Sequence, residues 1–434
     1  MSAILKTWTL GCKVNQYETE YLRQALAQIG YRAAVAGESA DLCLVNTCTV
    51  TAEGDAKSRQ AIRRLARDNP GARIVVMGCY ATRAPGEVGE LPGVVEVITD
   101  KRELPAWLGR LGVGDVPDGI SCFQGRSRAF VKVQDGCILR CSYCIIPSVR
   151  PPLTSRPLAQ VLDEVRRLRD HGYREIVLTG IHLGHYGVDQ NWNKPKSQWL
   201  RLSHLVRQIA ALEGDFRLRL SSIEATEVTR ELIQVMADHP DKICPHLHVC
   251  LQSGSDAVLR RMRRRWSARM FVDRCELVRR ALDQPAFTTD VVVGFPGETD
   301  EDFEATCRVV REVGFSKVHA FPFSARRGTA AAEMPNQVPR AVRSERVRQM
   351  AAVEAETRQA YFRSLIGRNL RVLIEVRNST ATEHPSGTAC RYAPVELRGE
   401  LPEDQGVGHL VDVVARELTA GPRLRAVPLA SYPP

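Results

Sequence analysis

Short apolar runs alternate with amphipathic stretches along the first hundred residues. The runs 42–45, 73–77 and 94–98 have the length of buried strands, whereas 17–29 and 55–67 place apolar residues at helical spacing. Strands that alternate with helices are typical of a parallel sheet. We therefore predict an N-terminal α/β domain, and we assign it residues 1–110.

A second alternating series follows a stretch rich in Gly and Asp at 108–127, which has the composition of a linker. Helical patterns, such as 158–171 and 301–313, separate six predicted strands: 129–134, 175–179, 216–220, 246–251, 287–293 and 317–321. Six strand–helix units of this size predict an open or partial (β/α)6 barrel, to which we assign residues 124–340.

The pattern changes again towards the C-terminus. A long charged helix is predicted over 338–366, and the segments 370–376, 392–397 and 408–414 then alternate in the manner of strands. This favours a small all-β barrel, assigned to 366–434. The predicted fold class is thus α/β, with a parallel-sheet domain, a partial barrel and a small β-barrel in that order.

Several classes of protein are excluded by composition. No apolar stretch approaches the roughly 20 residues of a membrane-spanning helix, and the first residues carry a charge where a signal peptide has an apolar core. We therefore expect a cytoplasmic protein with no membrane partner. Lysine and arginine number 60 against 50 acidic residues, a net charge of +10. This excess suits RNA, although charge alone favours the simpler explanation of a surface biased for solubility.

The 13 cysteines narrow the function further. An odd number cannot pair completely, and structural disulfides are rare in a reducing cytosol, so metal binding is the first candidate. Cys137, Cys141 and Cys144 form a C-x3-C-x2-C loop directly after a predicted strand. Three thiolates can bind three irons of one cubane cluster and leave the fourth iron open. A zinc site would need a fourth Cys or His, and this loop contains none.

Three further cysteines, Cys12, Cys48 and Cys79, each follow a predicted strand of the N-terminal domain. The carboxyl ends of parallel strands meet at one edge of a sheet, where ligands bind. The three thiolates could therefore hold a second cluster. The alternative is that cysteines stand at three strand ends by coincidence.

The central loop resembles that of the radical S-adenosylmethionine (SAM) superfamily. Other motifs closely resemble the methylthiotransferase family within it: TLGCKVNQ from Thr9, NTCTV from Asn46, GCYA from Gly78, LTGIH from Leu178, LQSGS from Leu251, DVVVGFPGE from Asp290 and FSARRGT from Phe323. This resemblance spans essentially the whole chain. It implies the order cluster domain, radical SAM domain and RNA-binding TRAM barrel.

The resemblance also implies an activity. GCKVNQYE from Gly11, TGIH from Thr179, SSIEA from Ser221 and RRMRR from Arg260 are similar to the branch that modifies N6-threonylcarbamoyladenosine beside the anticodon of tRNA. In that branch one SAM methylates a sulfur, a second SAM yields a 5′-deoxyadenosyl radical, and a methylthio group is inserted at C2. Two 4Fe–4S clusters, a one-electron reductant and a sulfur source are thereby implied.

Specific residues follow from the same resemblance. The cluster ligands would be the two sets of three cysteines, and no further catalytic residue is implied. The SAM pocket would include Thr179, Gly180, Gln252, Ser253, Gly294 and Glu298, and Arg150 could pair there with a carboxylate, although a solvated surface arginine is the alternative. The arginine-rich run 260–265 favours phosphate binding over a solvated helix face.

Two kinds of rival function stay open from the sequence. A sister methylthiotransferase would act on isopentenyladenosine in tRNA or on an aspartate of a ribosomal protein. An RNA-binding iron–sulfur redox sensor without catalysis belongs to a different class, and it would have no need of the SAM pocket that the C-x3-C-x2-C loop indicates.

Overall fold

A computed structural model describes residues 3–376, 384–399, 401 and 405–429 of the chain. The rest of the predicted C-terminal unit, 366–434, lies outside the described residues. The N-terminal elements are β1 (Ile4–Thr9), α1 (Lys13–Ala27), β2 (Arg32–Ala33), β3 (Leu42–Thr47), α2 (Ala52–Asp68), β4 (Arg73–Gly78), α3 (Cys79–Arg83), α4 (Pro85–Gly89), β5 (Val94–Val97) and α5 (Leu104–Arg110).

The N-terminal strands form the predicted parallel sheet, in the order β2-β1-β3-β4-β5. The central strand β3 is buried along its whole length, which explains its continuous apolar run. Since β1, β3 and β4 are neighbours and run in the same direction, the loops that follow them lie at one edge of the sheet.

The central domain contains the predicted partial barrel. Its strands are β6 (Ala129–Asp135), β7 (Thr154–Ser155), β8 (Glu175–Gly180), β9 (Arg217–Leu220), β10 (Ser222–Ile223), β11 (His246–Val249), β12 (Ala286–Val293) and β13 (Lys317–Pro322). Its helices are α6 (Ile146–Val149), α7 (Leu158–Asp170), α8 (Leu202–Ala210), α9 (Arg230–Asp238), α10 (Asp256–Arg261), α11 (Ala268–Ala281) and α12 (Asp300–Val313).

The strands form two four-stranded sheets, β7-β6-β8-β9 and β10-β11-β12-β13. The edge strand β9 of the first sheet is followed almost directly along the chain by the edge strand β10 of the second, and the two sheets together form an incomplete barrel. Apart from the short antiparallel β7, the pairings are parallel. The predicted strand 246–251 ends early, at Val249. The Leu251 N–H bonds to the Thr289 hydroxyl (2.9 Å) instead of to a main-chain carbonyl, so the ladder is interrupted there. It resumes for one residue at Gln252, which has a left-handed φ of 65° and pairs with Val291 of β12.

Helix α13 (Arg340–Ser364) leads to a closed barrel in the order β14-β15-β16-β18-β17. Its strands are β14 (Asn369–Val376), β15 (Ser386–Ala389), β16 (Pro394–Leu397), β17 (Leu410–Leu418) and β18 (Leu424–Pro428). The sequence analysis missed β15 and β18, because these short strands carry little apolar alternation. The predicted fold class is confirmed.

The C-terminal barrel packs directly on the central domain. Arg217 and Arg219 of β9 are buried, and they donate hydrogen bonds to the main-chain carbonyls of Thr388 (2.9 Å) and Cys390 (3.0 Å). The carboxylate of Glu175 lies against both guanidinium groups. These contacts attach the two domains through charged groups. No helix among the described residues has both the length and the apolar composition needed to cross a membrane.

Candidate active site

The structure brings the three N-terminal cysteines together. Cys12 precedes α1, Cys48 follows β3, and Cys79 begins α3 directly after β4. A Cβ atom at Gly11 would lie 3.1 Å from the Cys48 sulfur, and Gly11 has a φ of +95°, so this close approach depends on glycine. Loss of hydration raises the pKa of Cys12 and of Cys48, and the nearby Cys79 raises both further.

A buried network of polar side chains supports this cysteine group. The Asn15 side-chain amide donates to the main-chain oxygens of Leu10 (2.8 Å) and Thr47 (3.0 Å), and it thereby joins the loops that carry Cys12 and Cys48. The Arg150 Nε donates to the Cys79 sulfur at 3.4 Å. The sequence analysis missed Asn15, although the residue lies within one of the motifs quoted above.

Arg150 of the central domain contacts residues of both the N-terminal and the central domain. Its guanidinium donates to Glu18 (2.8 Å) and Asn15 (2.9 Å) of α1 and to Asp135 (2.8 Å) at the end of β6. Only 2% of its side chain is exposed, so the alternative of a solvated surface arginine is wrong. These contacts are with the N-terminal cysteine site, and a role of Arg150 in the SAM pocket stays a prediction.

A second arginine of the central domain reaches the N-terminal site. Arg326, in the segment FSARRGT, donates to the Thr49 hydroxyl (2.7 Å) and to the Asp55 carboxylate (2.8 Å). Arg83 donates to the same two residues, each at 2.9 Å. The loop after Cys48 is therefore held between two domains. No pattern in the sequence identifies Asp55 as the common acceptor.

The central cysteine loop lies beyond the carboxyl end of β6. Burial raises the pKa of Cys144 to about 12, and the nearby thiols of Cys141 and Cys137 contribute to this rise. Gln134 organises the loop, since its amide donates to the Gly136 carbonyl (2.6 Å) and its oxygen accepts from the His182 N–H (2.8 Å). The loop is thus attached to the segment that follows β8.

Two positively charged side chains lie against the central thiols. Arg264 donates to the Cys141 sulfur at 3.1 Å and pairs with Glu224 at 2.8 Å. The His182 Nδ1 lies 3.5 Å from the Cys137 sulfur, and its Nε2 contacts Glu227 at 2.8 Å. Burial acts to lower the pKa of His182, but the bonds with Cys137 and Glu227 raise it to about 9. A protonated His182 donates to sulfur, which suits an anionic thiolate-bound cluster and not a fourth zinc ligand.

The arginine-rich run 260–265 divides between the interior and the surface. Arg264 faces the central cysteines, Arg261 pairs with Asp302 at 3.4 Å, and Arg260 and Arg263 are exposed. Arg264 is therefore not a surface residue available to phosphate. Sequence spacing could not reveal this, because α10 ends at Arg261 and the helical periodicity stops there.

The two cysteine sites are neighbours. Cys79 packs in one apolar cluster with Ile145 and Val149, and Ile145 directly follows Cys144. A cavity of about 1130 Å³ also lies against the N-terminal site, with Cys12 in its wall. All three domains line this cavity, which slightly exceeds the range of about 300–1000 Å³ that is typical of small-molecule pockets.

The residues predicted for the SAM pocket stand at the carboxyl ends of barrel strands. Thr179 and Gly180 end β8, and a Cβ atom at Gly180 would lie 2.9 Å from the Gln134 oxygen. Gln252 exchanges main-chain hydrogen bonds of 2.9 Å with β12, while the Ser253 hydroxyl lies 3.3 Å from that of Thr306. These residues are brought to one end of the barrel. Their contact with SAM stays a prediction.

Gly294 and Glu298 form one turn after β12. The Gly294 N–H donates to the Glu298 carboxylate, and Arg346 of α13 pairs with the same carboxylate at 2.7 Å. Burial raises the pKa of Glu298 to about 6, although both donors act to lower it. Glu298 therefore supports the turn from inside, and a contact with SAM would have to come from the main chain of this turn.

The chain resembles known proteins along almost its whole length. Residues 5–100 match the Uncharacterized protein family UPF0004, and residues 131–310 match the Radical SAM superfamily. The threonylcarbamoyladenosine tRNA methylthiotransferase MtaB of Bacillus subtilis is 42% identical, over 81% of this chain and 80% of the relative. This chain belongs to the radical SAM methylthiotransferase family. As a member of that family it is an enzyme that uses SAM and a 4Fe–4S cluster.

Other family members are similar over comparable lengths. The Chlamydia pneumoniae protein of the same name is 39% identical over 93% of this chain and 97% of its own. A tRNA-2-methylthio-N(6)-dimethylallyladenosine synthase of Mycobacterium sp. is 34% identical over 88% of this chain and 79% of its own. Membership of an enzyme family disfavours the non-catalytic redox sensor.

Among solved structures, the radical SAM methyltransferase TsrM from Kitasatospora setae is similar in fold. It superimposes with a TM-score of 0.54 at 16% identity, and the match covers 76% of this chain and 77% of that one. At this identity the likeness concerns the fold alone.

Proposed function

We propose that this methylthiotransferase inserts a methylthio group at C2 of N6-threonylcarbamoyladenosine, beside the anticodon of tRNA, with SAM as methyl donor and radical source. One observation carries the choice of substrate. Two relatives named for that substrate are 42% and 39% identical to the chain, whereas the relative named for dimethylallyladenosine is 34% identical. A sister enzyme acting on isopentenyladenosine or on a ribosomal protein is accordingly disfavoured.

We further propose that Cys12, Cys48 and Cys79 bind a second 4Fe–4S cluster, and that Cys137, Cys141 and Cys144 bind the SAM-cleaving one. The convergence of the three N-terminal thiols, together with the Arg150 donor at 3.4 Å from Cys79, supports the assignment of a cluster to the N-terminal cysteines. When bound, the central cluster supplies the electron for SAM cleavage and the N-terminal cluster carries the sulfur that is transferred.

The chain's own charged groups fit these roles. Arg264 and His182 balance the negative charge of central thiolates, and hydrogen bonds to cluster sulfurs tune reduction potential. Arg150 does the same beside Cys79. The contacts of Arg150 support a place at the N-terminal cluster more than one in the SAM pocket, whereas Thr179, Gly180, Gln252, Ser253, Gly294 and Glu298 remain our candidates for that pocket.

The partner is the anticodon stem-loop of tRNA. A base must leave its stack before C2 can reach an enclosed site, and the cavity of about 1130 Å³ has room for one modified nucleoside. A closed β-barrel and exposed arginines suit phosphate contacts. Each turnover consumes one sulfur and requires electrons, so a sulfur source and a one-electron reductant complete the reaction, which we place in the cytoplasm.

The decisive experiment is nucleoside mass spectrometry of tRNA. A strain that lacks the gene should lose 2-methylthio-N6-threonylcarbamoyladenosine and accumulate its unthiolated precursor, and the wild-type gene should restore it. A strain complemented with Cys137→Ala should not recover. Loss of the methylthio group from isopentenyladenosine instead, or an unchanged nucleoside profile with no 5′-deoxyadenosine formed by the reduced protein, would refute the proposal.

A further inference from the structure

Lys13 is an unpaired cation in the wall of the large cavity. It follows Cys12 at the start of α1, and its half-buried side chain lines the cavity beside that cysteine. Within the described part of the chain, Lys13 has neither an acidic partner nor a hydrogen-bond acceptor for its ammonium group. A half-buried cation that faces a cavity without a counter-ion is a site for an anion.

The other cations of the cavity are already neutralised or stacked. Arg128 pairs with Glu375 and Glu175, and Glu175 also pairs with Arg219 at 2.9 Å. Arg126 stacks over the ring of Phe130, 5.5 Å from its centre, at the outer rim of the cavity. The ammonium of Lys13 is therefore the cation beside Cys12 that is available to an anionic ligand.

Two uncharged imidazoles belong to the same cavity. Burial, with the positive charges of Arg219 and Lys13, lowers the pKa of His246 well below its usual value, and burial also lowers the pKa of His319. His246 is 4% exposed and stacks on Tyr392 of the C-terminal barrel. These neutral rings add no positive charge to the cavity, so they do not compete with Lys13 for an anion.

We propose that Lys13 binds the carboxylate of the N6 side chain of the substrate nucleoside. This inference rests on the proposed function. On a purine, C2 and the N6 substituent lie on opposite sides of N1, so a base whose C2 faces the N-terminal cysteines directs its N6 group along the cavity wall. A dimethylallyl group offers Lys13 no acceptor and displaces part of its hydration, which selects against that substrate.

Binding of two synthetic anticodon stem-loops tests this, one with N6-threonylcarbamoyladenosine and one with plain adenosine at that position. We expect the wild type to prefer the modified loop and Lys13→Met to reduce the ratio of the two affinities by about tenfold or more, the effect of one charged hydrogen bond. Lys13→Arg should retain most of the preference. Lys57→Met is the matched control, because Lys57 is an exposed lysine of the same domain paired with Glu53 at 2.7 Å.

A third anticodon stem-loop tests the contribution of the carboxylate charge by itself. With the threonyl carboxylate converted to its methyl ester, wild type and Lys13→Met should bind equally well within about twofold. Iron and sulfide content and the cluster absorption spectrum of Lys13→Met should equal those of the wild type.

Three results would overturn the role of Lys13. Equal weakening of both loops by Lys13→Met would mean that Lys13 binds a phosphate, and loss of iron would mean that it supports the cluster. If the wild type itself had no preference for the modified loop and did not methylthiolate it, the proposed function would fail first. A wild type that reacts with the modified loop while Lys13→Met keeps its full preference would refute the role of Lys13 alone.

Discussion

Removal of the Arg150 guanidinium should weaken the junction between the N-terminal and central domains. In Arg150→Met, the carboxylates of the buried Glu18 and the partly buried Asp135 would keep Lys132 as their shared cation, at 2.7 Å and 2.5 Å. Two anions, one of them fully buried, would then share one positive charge. The loss of one partner from a buried ionic network typically costs about 3–5 kcal/mol, because the remaining charge stays desolvated.

The pKa of Glu18 gives an independent measure of how much this ionic network contributes to the free energy of unfolding. Burial acts to raise it, but Arg150 and Lys132 lower it from 4.5 to about 2. Such a depression stabilises the folded chain by about 3 kcal/mol above pH 4.5, since each tenfold change in acidity corresponds to about 1.4 kcal/mol. This stabilisation is lost as the pH falls from about 4.5 towards 2, where the folded carboxylate becomes protonated. The free energy of unfolding of Arg150→Met should therefore depend less steeply on pH in this range.

Urea unfolding at pH 7, followed by the fluorescence of the chain's five tryptophans, measures the change in the free energy of unfolding. We expect a loss of about 3 kcal/mol for Arg150→Met and partial recovery when Glu18→Gln is added, because the second change removes the unpaired anion. The control is Arg166→Met. The ion pair of Arg166 with Asp163 is exposed, so its loss should change the free energy of unfolding by less than about 1 kcal/mol. Wild-type stability of Arg150→Met, or no recovery in the double variant, would refute this reasoning.

Three further predictions concern the clusters and the RNA. The variant with Cys137, Cys141 and Cys144 all changed to alanine should keep half of the iron of the wild type, and iron analysis that finds the full complement would contradict two separate sites. Cys12→Ala, Cys48→Ala or Cys79→Ala should abolish methylthio insertion while SAM is still cleaved to 5′-deoxyadenosine; chromatographic loss of that product, as complete as in the central variants, would disprove the division of roles. Arg398→Gln and Arg423→Gln, on the exposed face of the C-terminal barrel, should each weaken tRNA binding and lower the salt slope by about 1; an unchanged slope in both would place the RNA elsewhere.

Single substitutions test the RNA contacts of the C-terminal barrel more directly than deletion of the whole barrel would. The carbonyls of Thr388 and Cys390 accept hydrogen bonds from Arg217 and Arg219 of the central domain, respectively. Deletion of the barrel would leave these buried guanidinium groups with Glu175 but without their carbonyl acceptors, so the loss of RNA contacts would be mixed with damage to β9.

Most of the fold could be predicted from the sequence, because its elements are recorded in local periodicity. The alternation of apolar runs and amphipathic helices predicted the parallel sheet and the partial barrel, and long buried strands such as β3 and β12 carry the strongest pattern. Strands β15 and β18 escaped this reasoning. They are short, and the closure of the barrel rather than an apolar alternation of their own makes them strands.

The sequence by itself determined which cysteines could act together. Cys12, Cys48 and Cys79 stand directly after strands, and the rule that parallel strands end at one edge brings them to the same place. The spacing of Cys137, Cys141 and Cys144 within one loop carries the same information at short range. Both inferences use only the order of elements along the chain, which local patterns record.

Only the tertiary structure decided which charged residues lie against these cysteines and the loops that carry them. Arg150 meets Glu18 across 132 positions of sequence, Arg326 meets Asp55 across 271, and Arg264 lies 123 positions from Cys141. No periodicity relates such pairs, and an arginine that will be buried looks in sequence like an exposed one. Lys13 shows the converse, since its lack of a partner among the described residues depends on everything packed around the cavity. Burial and pairing are collective results of the packing, and for this reason they follow from the folded chain and not from any segment of it.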